Sequence, residues 1–121
     1  MKSSIGHIPD DIAAKILGQT VKVALALLSE KEFQAAVVDL AKRCGWLIYH
    51  TYDSRKSNAG FPDLVLVKGR VVLFLELKSQ DGKSTAPQVT WGEALADVGG
   101  NVVYYLFRPS DWSDIVKLLG G

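Results

Sequence analysis

Residues 60–78 read GFPDLVLVKGRVVLFLELK, and this stretch decides the fold. It holds two apolar runs, residues 64–67 and 71–75, which are rich in the branched and aromatic side chains that favour strands. A short turn signal, residues 68–70, with glycine at its centre, separates the two runs. Apolar runs on either side of a glycine turn predict an antiparallel β-hairpin.

Three charged residues stand at the open end of this hairpin: Asp63, Glu76 and Lys78. Aspartate, glutamate and lysine are poor strand formers and are rarely buried without a partner. Side chains alternate faces along a strand, so Glu76 and Lys78 point to the same face of the sheet. Charged groups in this position beside valine and leucine indicate a functional site.

The length of the turn decides whether the two carboxylates meet. If Gly69 and Arg70 form a two-residue type II′ loop, Asp63 falls opposite Glu76 and the two side chains share a face. A three-residue loop centred on Gly69 without a bulge would pair Asp63 with Leu75 and direct the carboxylates to opposite faces. We predict the tighter turn, because only this turn brings the two acids together.

Two carboxylates at one strand edge suit a hard cation such as Mg²⁺, which takes oxygen ligands and keeps several waters. Lys78 is not a ligand in this arrangement. Its ammonium group can orient the attacking water or meet the charge that develops on a phosphate. The charged residues therefore predict metal-assisted phosphodiester hydrolysis.

Pro62-Asp63, followed after a spacer by Glu76-Leu77-Lys78, resembles the signature of the PD-(D/E)xK nuclease superfamily. The form Gly60-Phe61-Pro62-Asp63 resembles its virus-type replication-repair nuclease (VRR-NUC) branch, and the resemblance extends from Glu30 to Trp112. It implies an α/β, restriction-endonuclease-like single domain. A central mixed β-sheet of about four strands is flanked by helices, in the core order αβββαβ, with an extra N-terminal helix and a right-handed crossover to the last strand.

The resemblance also implies an activity, a cofactor and a ligand set. The activity is that of a DNA nuclease dependent on Mg²⁺ or Mn²⁺, structure-selective for branched, flap or junction DNA in phage or bacterial replication and repair. Asp63, Glu76, Glu30 and the Leu77 backbone carbonyl are the implied ligands of one or two ions, and Lys78 joins Asp63, Glu76 and Glu30 as a catalytic residue. A restriction-like duplex endonuclease, or a catalytically silent nucleic-acid-binding or scaffold protein, remains an alternative with the same fold.

The helix that carries Glu30 is the best supported helix in the sequence. Ser29 and Glu32 form a predicted capping box, and Gly45 follows the end of the helix. One helical face is apolar and comprises Phe33, Ala36, Val37, Leu40, Ala41 and Cys44. Glu30 lies near the edge of this face, whereas Glu32 is engaged in the cap. We therefore favour Glu30 as the helix carboxylate at the site and keep Glu32 as the alternative.

Substrate contacts are predicted around the two ends of the hairpin. A polar loop, residues 52–60, precedes the Pro-Asp edge, and a helix with Thr85 as its N-cap follows Lys78. The candidates are His50, Ser54, Arg55, Lys56, Gly60 and Gln88. Each has a simpler interpretation: the Arg-Lys pair as an ordinary basic surface loop, His50 as a structural strand-end residue, and Gln88 as a solvent-facing helix residue.

Length and composition predict one soluble globular domain. The chain has 121 residues, of which 48% are hydrophobic and 22% charged, and 14 basic residues nearly balance 13 acidic ones. Any phosphate-binding surface must therefore be local. One cysteine excludes an intramolecular disulfide and fits a cytoplasmic protein of a bacterial or phage-infected host cell, with no membrane segment.

We divide the chain into an N-terminal helical extension, residues 1–28, and a nuclease domain, residues 29–121. The extension has an amphipathic pattern with a break expected near Gly18. We expect its helix to cover the core or, alternatively, to contact a second subunit. A homodimer is the expected assembly, because cutting two strands often requires two active sites.

Overall fold

The computed structural model describes residues 9–51 and 58–121. Within these residues the protein has four α-helices and four β-strands, so the predicted α/β class and core order are confirmed. The elements in chain order are α1 (Asp10–Ala26), α2 (Glu30–Arg43), β1 (Leu47–His50), β2 (Leu64–Lys68), β3 (Val71–Leu77), α3 (Ala86–Val98), β4 (Val102–Phe107), a 3-10 turn (Pro109–Asp111) and α4 (Trp112–Gly120).

The four strands form one mixed sheet in the order β1-β2-β3-β4. The pairs β1–β2 and β2–β3 are antiparallel, and β4 runs parallel to β3 because α3 carries the chain across. The β2–β3 turn has two residues, as predicted: Lys68 pairs with Val71, and Gly69 has a φ of +61°. Leu64 pairs with Leu75, so Asp63 lies one residue further, opposite Glu76.

One face of the sheet packs against α2 and α4 and forms the apolar core. The ladder pairs Leu64 with Leu75 and Leu66 with Leu73, so these four side chains share the buried face. Helix residues cover them, and within residues 9–51 and 58–121 the buried hydrophobic core comprises Phe33, Val37, Ala41, Leu64, Leu66, Leu73, Leu75, Leu77, Phe107, Ile115 and Leu119. The capping box of Ser29 and Glu32 starts α2 as predicted.

The opposite face carries α3 and the charged residues. Phe61 makes edge contacts with Phe74 at 6.0 Å and with Trp91 of α3 at 5.0 Å between ring centroids. Gly92 of α3 lies directly against the ring of Tyr104, where a Cβ atom would come within 2.7 Å of its Cζ and hydroxyl. Glycine at this position lets α3 lie close to β4, and this packing leaves Asp63 and Glu76 at the end of the same face.

Helix α1 differs from the expectation of a covering helix. It runs through Gly18 without a break, and none of its residues is buried. It contacts the 3-10 turn that precedes α4, while its apolar side chains stay exposed, including Ile12, Ile16, Leu17 and Val23. The core of the domain is thus complete without α1.

In the described part of the chain, no single helix has both the length and the apolar character to cross a membrane. Only α1 and α2 taken together, with a bend of 117° between them, meet those two criteria.

Candidate active site

Asp63 is held in place by the strands on both sides of it. The backbone N–H of Thr51, at the end of β1, donates to the Asp63 carbonyl at 2.8 Å. The backbone N–H of Leu77 in β3 donates to Asp63 Oδ2 at 2.7 Å. Because a hydrogen bond to a carboxylate is charge-assisted, the side chain is fixed across the hairpin rather than free to rotate into solvent.

Glu76 is the most deeply buried charged residue of the described chain, with 1% of its surface exposed. Its Oε2 atom has no hydrogen-bond partner. Burial, together with the hydrogen-bonded and negatively charged carboxyl of Asp63, raises the pKa of Glu76 to about 9. Lys78 lowers this pKa and Glu30 raises it, but both effects are smaller than that of burial. Without a bound cation, Glu76 therefore holds a proton at neutral pH.

Lys78 is the cationic member of the site. Its side chain is 8% exposed, and its backbone N–H donates to the Phe107 carbonyl of β4 at 3.0 Å. Strand alternation places it on the face of Glu76, whose pKa it lowers. In the part of the chain that the structure describes, no ion pair joins Lys78 directly to Asp63 or Glu76. The ammonium acts on Glu76 through space and forms no ion pair with either acid.

The carboxylate pair fits a divalent cation. The buried Glu76 Oε2 atom has no hydrogen-bond partner, and the Asp63 carboxyl lies beside Glu76. Together the two carboxyl groups offer oxygen ligands, and there is too little positive charge near them to balance two ionised acids. The Leu77 N–H points toward Asp63, and the carbonyl of a strand residue points to the same side as its N–H. Within residues 9–51 and 58–121, no group of three or more His, Cys, Asp or Glu side chains is close enough to hold a metal. Asp63 and Glu76 are thus a pair of acids, which is a donor set that suits Mg²⁺ because this ion keeps several waters.

The predicted substrate-binding residues have separate positions in the structure. His50 Nε2 lies 3.1 Å from Gln34 Oε1 of α2, and His50 pairs with Leu64, so it lies on the core face and not on the face of Glu76. The Gln88 side chain accepts a hydrogen bond from the Thr85 N–H at 2.8 Å and completes the capping box of α3. The predicted contacts Ser54, Arg55 and Lys56 lie outside the described residues.

Gly60 has a packing role that the sequence did not reveal. Its φ is +91°, and a Cβ atom there would lie 2.4 Å from the Pro87 carbonyl carbon and 2.7 Å from the Gln88 nitrogen. These are backbone atoms of the first turn of α3, which cannot move aside as a flexible side chain can. Gly60 thus brings the segment before Asp63 into contact with the start of α3.

We expect Gly60→Ala to destabilise the fold by about 2 kcal/mol or more, since both the positive φ and the close backbone approach penalise a Cβ. The free energy of unfolding, measured by urea denaturation, checks this. Gly69→Ala is the matched control, because Gly69 also has a positive φ but nothing lies within 4 Å of its Cβ position. Equal losses for the two variants would show that the contact with α3 contributes nothing.

Arg108 fixes the loop that follows Lys78. Its Nη1 donates to three backbone carbonyls of this loop, at 2.8, 3.3 and 2.6 Å, which belong to Ser79, Gln80 and Gly82. Arg108 has no recognisable signal in the sequence, because no local pattern connects a strand-end arginine with a loop 26 to 29 residues earlier. The guanidinium restrains the chain on the C-terminal side of the site.

Tyr104 is a second residue near the site that the sequence alone did not indicate. It pairs with Phe74 on the face of Glu76. Burial raises the pKa of Tyr104, and the negative charges of Glu76 and Asp63 raise it further. The alternation of β4 would have indicated its face, but the partner strand was needed to identify its neighbours.

Comparison with protein-family models finds no match for this sequence, and comparison with curated proteins finds none either. Solved structures do match. One named "VRR_NUC domain protein" is 22% identical with a TM-score of 0.58, and the alignment covers 76% of this chain and 85% of that chain. Another, named "VRR_NUC domain", is 24% identical with a TM-score of 0.58, and the alignment covers 75% of this chain and 94% of that chain. The chain therefore has the fold of a VRR-NUC domain.

Proposed function

We propose that this chain is a metal-dependent DNA nuclease that hydrolyses phosphodiester bonds with Mg²⁺ or Mn²⁺. The observation that carries the proposal is the buried Glu76 carboxyl beside Asp63, with an unpartnered oxygen and with Lys78 on the same face. The VRR-NUC fold supports it, because the solved structures with this fold are named as nuclease domains. A purely structural acid pair would instead be expected to find hydrogen-bond donors for both of its carboxyl groups.

In this proposal Asp63, Glu76 and the Leu77 carbonyl would hold the cation, which would supply Lewis-acid activation of the phosphate and of water. The Leu77 N–H keeps Asp63 directed across the hairpin, and burial keeps Glu76 from turning into solvent. Lys78 orients the attacking water and stabilises the negative charge that develops on the phosphate oxygens.

Glu30 is proposed as an auxiliary carboxylate at the start of α2. Its charge raises the pKa of Glu76, so the two groups interact through space, but it is not part of a three-acid cluster with Asp63 and Glu76. We propose that Glu30 contacts water molecules around the cation rather than the cation itself. Glu32 is a weaker candidate, because its side chain accepts the Ser29 N–H at 3.0 Å in the cap.

The substrate that we propose is branched, flap or junction DNA. The experiment is cleavage of end-labelled single-stranded, duplex, flap and four-way-junction DNA with Mg²⁺ or Mn²⁺, beside Asp63→Asn. Asparagine keeps an oxygen that can accept the Leu77 N–H, so the variant removes the charge and spares the local fold. Metal-dependent cutting that is lost in Asp63→Asn supports the nuclease. Binding without cutting on every substrate would support a scaffold protein, and cutting of plain duplex alone would support a restriction-like enzyme.

We further propose that a second copy of this chain covers α1. Its exposed apolar residues include Ile12, Ile16 and Val23. An antiparallel two-fold pairing centred near Ile16 would place these apolar residues of the two copies against each other. Sedimentation equilibrium tests this. Ile16→Glu is expected to give a monomer and Lys15→Gln to leave the dimer, and a monomeric wild-type chain would rule the pairing out.

A further inference from the structure

The face of the sheet that carries the acid pair also bears an exposed apolar surface on β1 and β2. Leu47 is 75% exposed, Tyr49 is 66% exposed and Val67 is 37% exposed. The ladder pairs Leu47 with Val67 and Tyr49 with Val65, so these side chains share one face. We call Leu47, Tyr49 and Val67 the β1–β2 surface. None of its side chains carries a charge, and one of them is a large aromatic ring.

The β1–β2 surface is continuous with the candidate active site. Val65 and Asp63 are two residues apart on β2 and therefore face the same way. Tyr49 lies directly opposite Val65, so it is a diagonal neighbour of Asp63, for which the Cα atoms of a sheet lie about 7–8 Å apart. His50, the adjacent residue, faces the core and contacts Gln34 instead. Tyr49 is thus the exposed aromatic side chain that β1 directs to the face of the acid pair.

We infer that Tyr49 is a stacking platform for an unpaired nucleobase next to the phosphate held at the Asp63–Glu76 site. The inference rests on the proposed nuclease function and specifies its substrate: a strand with at least one unstacked base beside the cut. Successive nucleotides of a stacked strand advance about 3.4 Å along the helix axis, and those of an unstacked strand advance further, so a base one to three nucleotides from that phosphate can reach the ring. Aromatic side chains bind bases of any sequence in this way, because every base has a π-face.

An unpaired base fits this surface better than duplex DNA does. Bases of an intact duplex show only their edges in the grooves, so a flat ring on a sheet cannot reach their faces. Phosphates require positive charge, and the β1–β2 surface offers none. A flap, a frayed end or a branch point supplies both groups at once, a phosphate for the acid site and a free base for the ring.

The test is a double-mutant cycle between the ring and the base. A fluorescein-labelled single strand binds the full chain with Ca²⁺ in place of Mg²⁺, and anisotropy gives the dissociation constant. Tyr49→Ala and Tyr49→Leu are expected to weaken binding roughly 5- to 100-fold, whereas Tyr49→Phe keeps the ring and binds within about twofold of wild type. An abasic site is moved along the strand one position at a time. At one position the abasic site should weaken DNA binding by the wild-type chain and leave DNA binding by Tyr49→Ala unchanged.

Wild-type binding by Tyr49→Ala overturns the inference, and so do additive losses at every abasic position. Leu47→Ser is the control for the loss of apolar area. If Leu47→Ser weakens DNA binding as much as Tyr49→Leu does, the Tyr49 ring has no specific role. Conversion of a dimer to a monomer by Tyr49→Ala would assign the surface to a second copy and also overturn it. The proposed function fails separately. Binding that depends on the Tyr49 ring, without any cutting, would support the stacking platform and contradict the nuclease function. Cutting that depends on Asp63 but not on Tyr49 would support the nuclease function and contradict the stacking platform.

Discussion

Lys78→Met is expected to lower cleavage at least about 100-fold while the chain stays folded and still binds DNA. The Lys78 side chain is almost fully buried, so its aliphatic stem packs where methionine can replace it. What the variant loses is the ammonium group, which no described ion pair neutralises. In the proposed mechanism this group acts on the reacting phosphate and water. The loss is expected in the rate of the chemical step rather than in DNA affinity.

Single-turnover cleavage with enzyme in excess measures that step, and anisotropy with Ca²⁺ measures binding. Lys83→Met is the matched control, because Lys83 lies exposed on the loop after the site and its removal tests the general effect of one fewer positive charge. Cleavage by Lys78→Met at the wild-type rate would remove Lys78 from the mechanism. Equal losses in both variants would reduce its role to attraction of DNA.

The hairpin and its register could be predicted because local chemistry determines them. A glycine at the first position of a two-residue turn fixes the pairing, and period-two alternation then fixes the faces of Asp63, Glu76 and Lys78. The capping box of α2 is equally local, since it involves residues three positions apart, and so is the predicted N-cap of α3 at Thr85.

Features that depend on tertiary contact were not predictable in this way. Arg108 binds carbonyls that are distant in sequence, and the need for glycine at position 60 comes from the backbone of α3. The apolar pattern of α1 is that of a packed helix, yet the domain closes without it. Periodicity predicts that a helix has an apolar face, but it does not say whether that face is covered by the same chain.

The protonation state of Glu76 could not be predicted from the sequence either, because it depends on how deeply the side chain is buried. A strand-end glutamate in sequence looks like a ready carboxylate, but enclosure beside Asp63 makes the protonated form the stable one. If the proposed cation binds here, its binding would be coupled to proton release, since the cation needs the ionised group. The same burial of Glu76 lowers the stability of the folded chain at neutral pH.

Glu76→Gln is accordingly expected to stabilise the metal-free protein at neutral pH while it abolishes cleavage. The pKa of Glu76 is about 9 in the folded chain against a usual value of 4.5, so between these pH values the folded state binds a proton that the unfolded state has released. Stability then falls as pH rises through this window. The penalty removed by glutamine is on the order of 3 kcal/mol at pH 7 and vanishes below about pH 4.5. Glutamine can also donate a hydrogen bond to Asp63, which a second ionised carboxylate cannot.

Urea denaturation from pH 4 to pH 9, with and without Mg²⁺, tests this argument. Wild type should lose stability toward alkaline pH, Glu76→Gln should not, and Glu93→Gln on the exposed side of α3 should follow wild type. Because cation binding requires the ionised carboxylate, Mg²⁺ should stabilise wild type more at pH 8 than at pH 6 and should have little effect on Glu76→Gln. Parallel pH slopes for wild type and Glu76→Gln would mean that Glu76 is ionised in the folded chain. A Mg²⁺ effect that survives in Glu76→Gln would place the cation away from the acid pair.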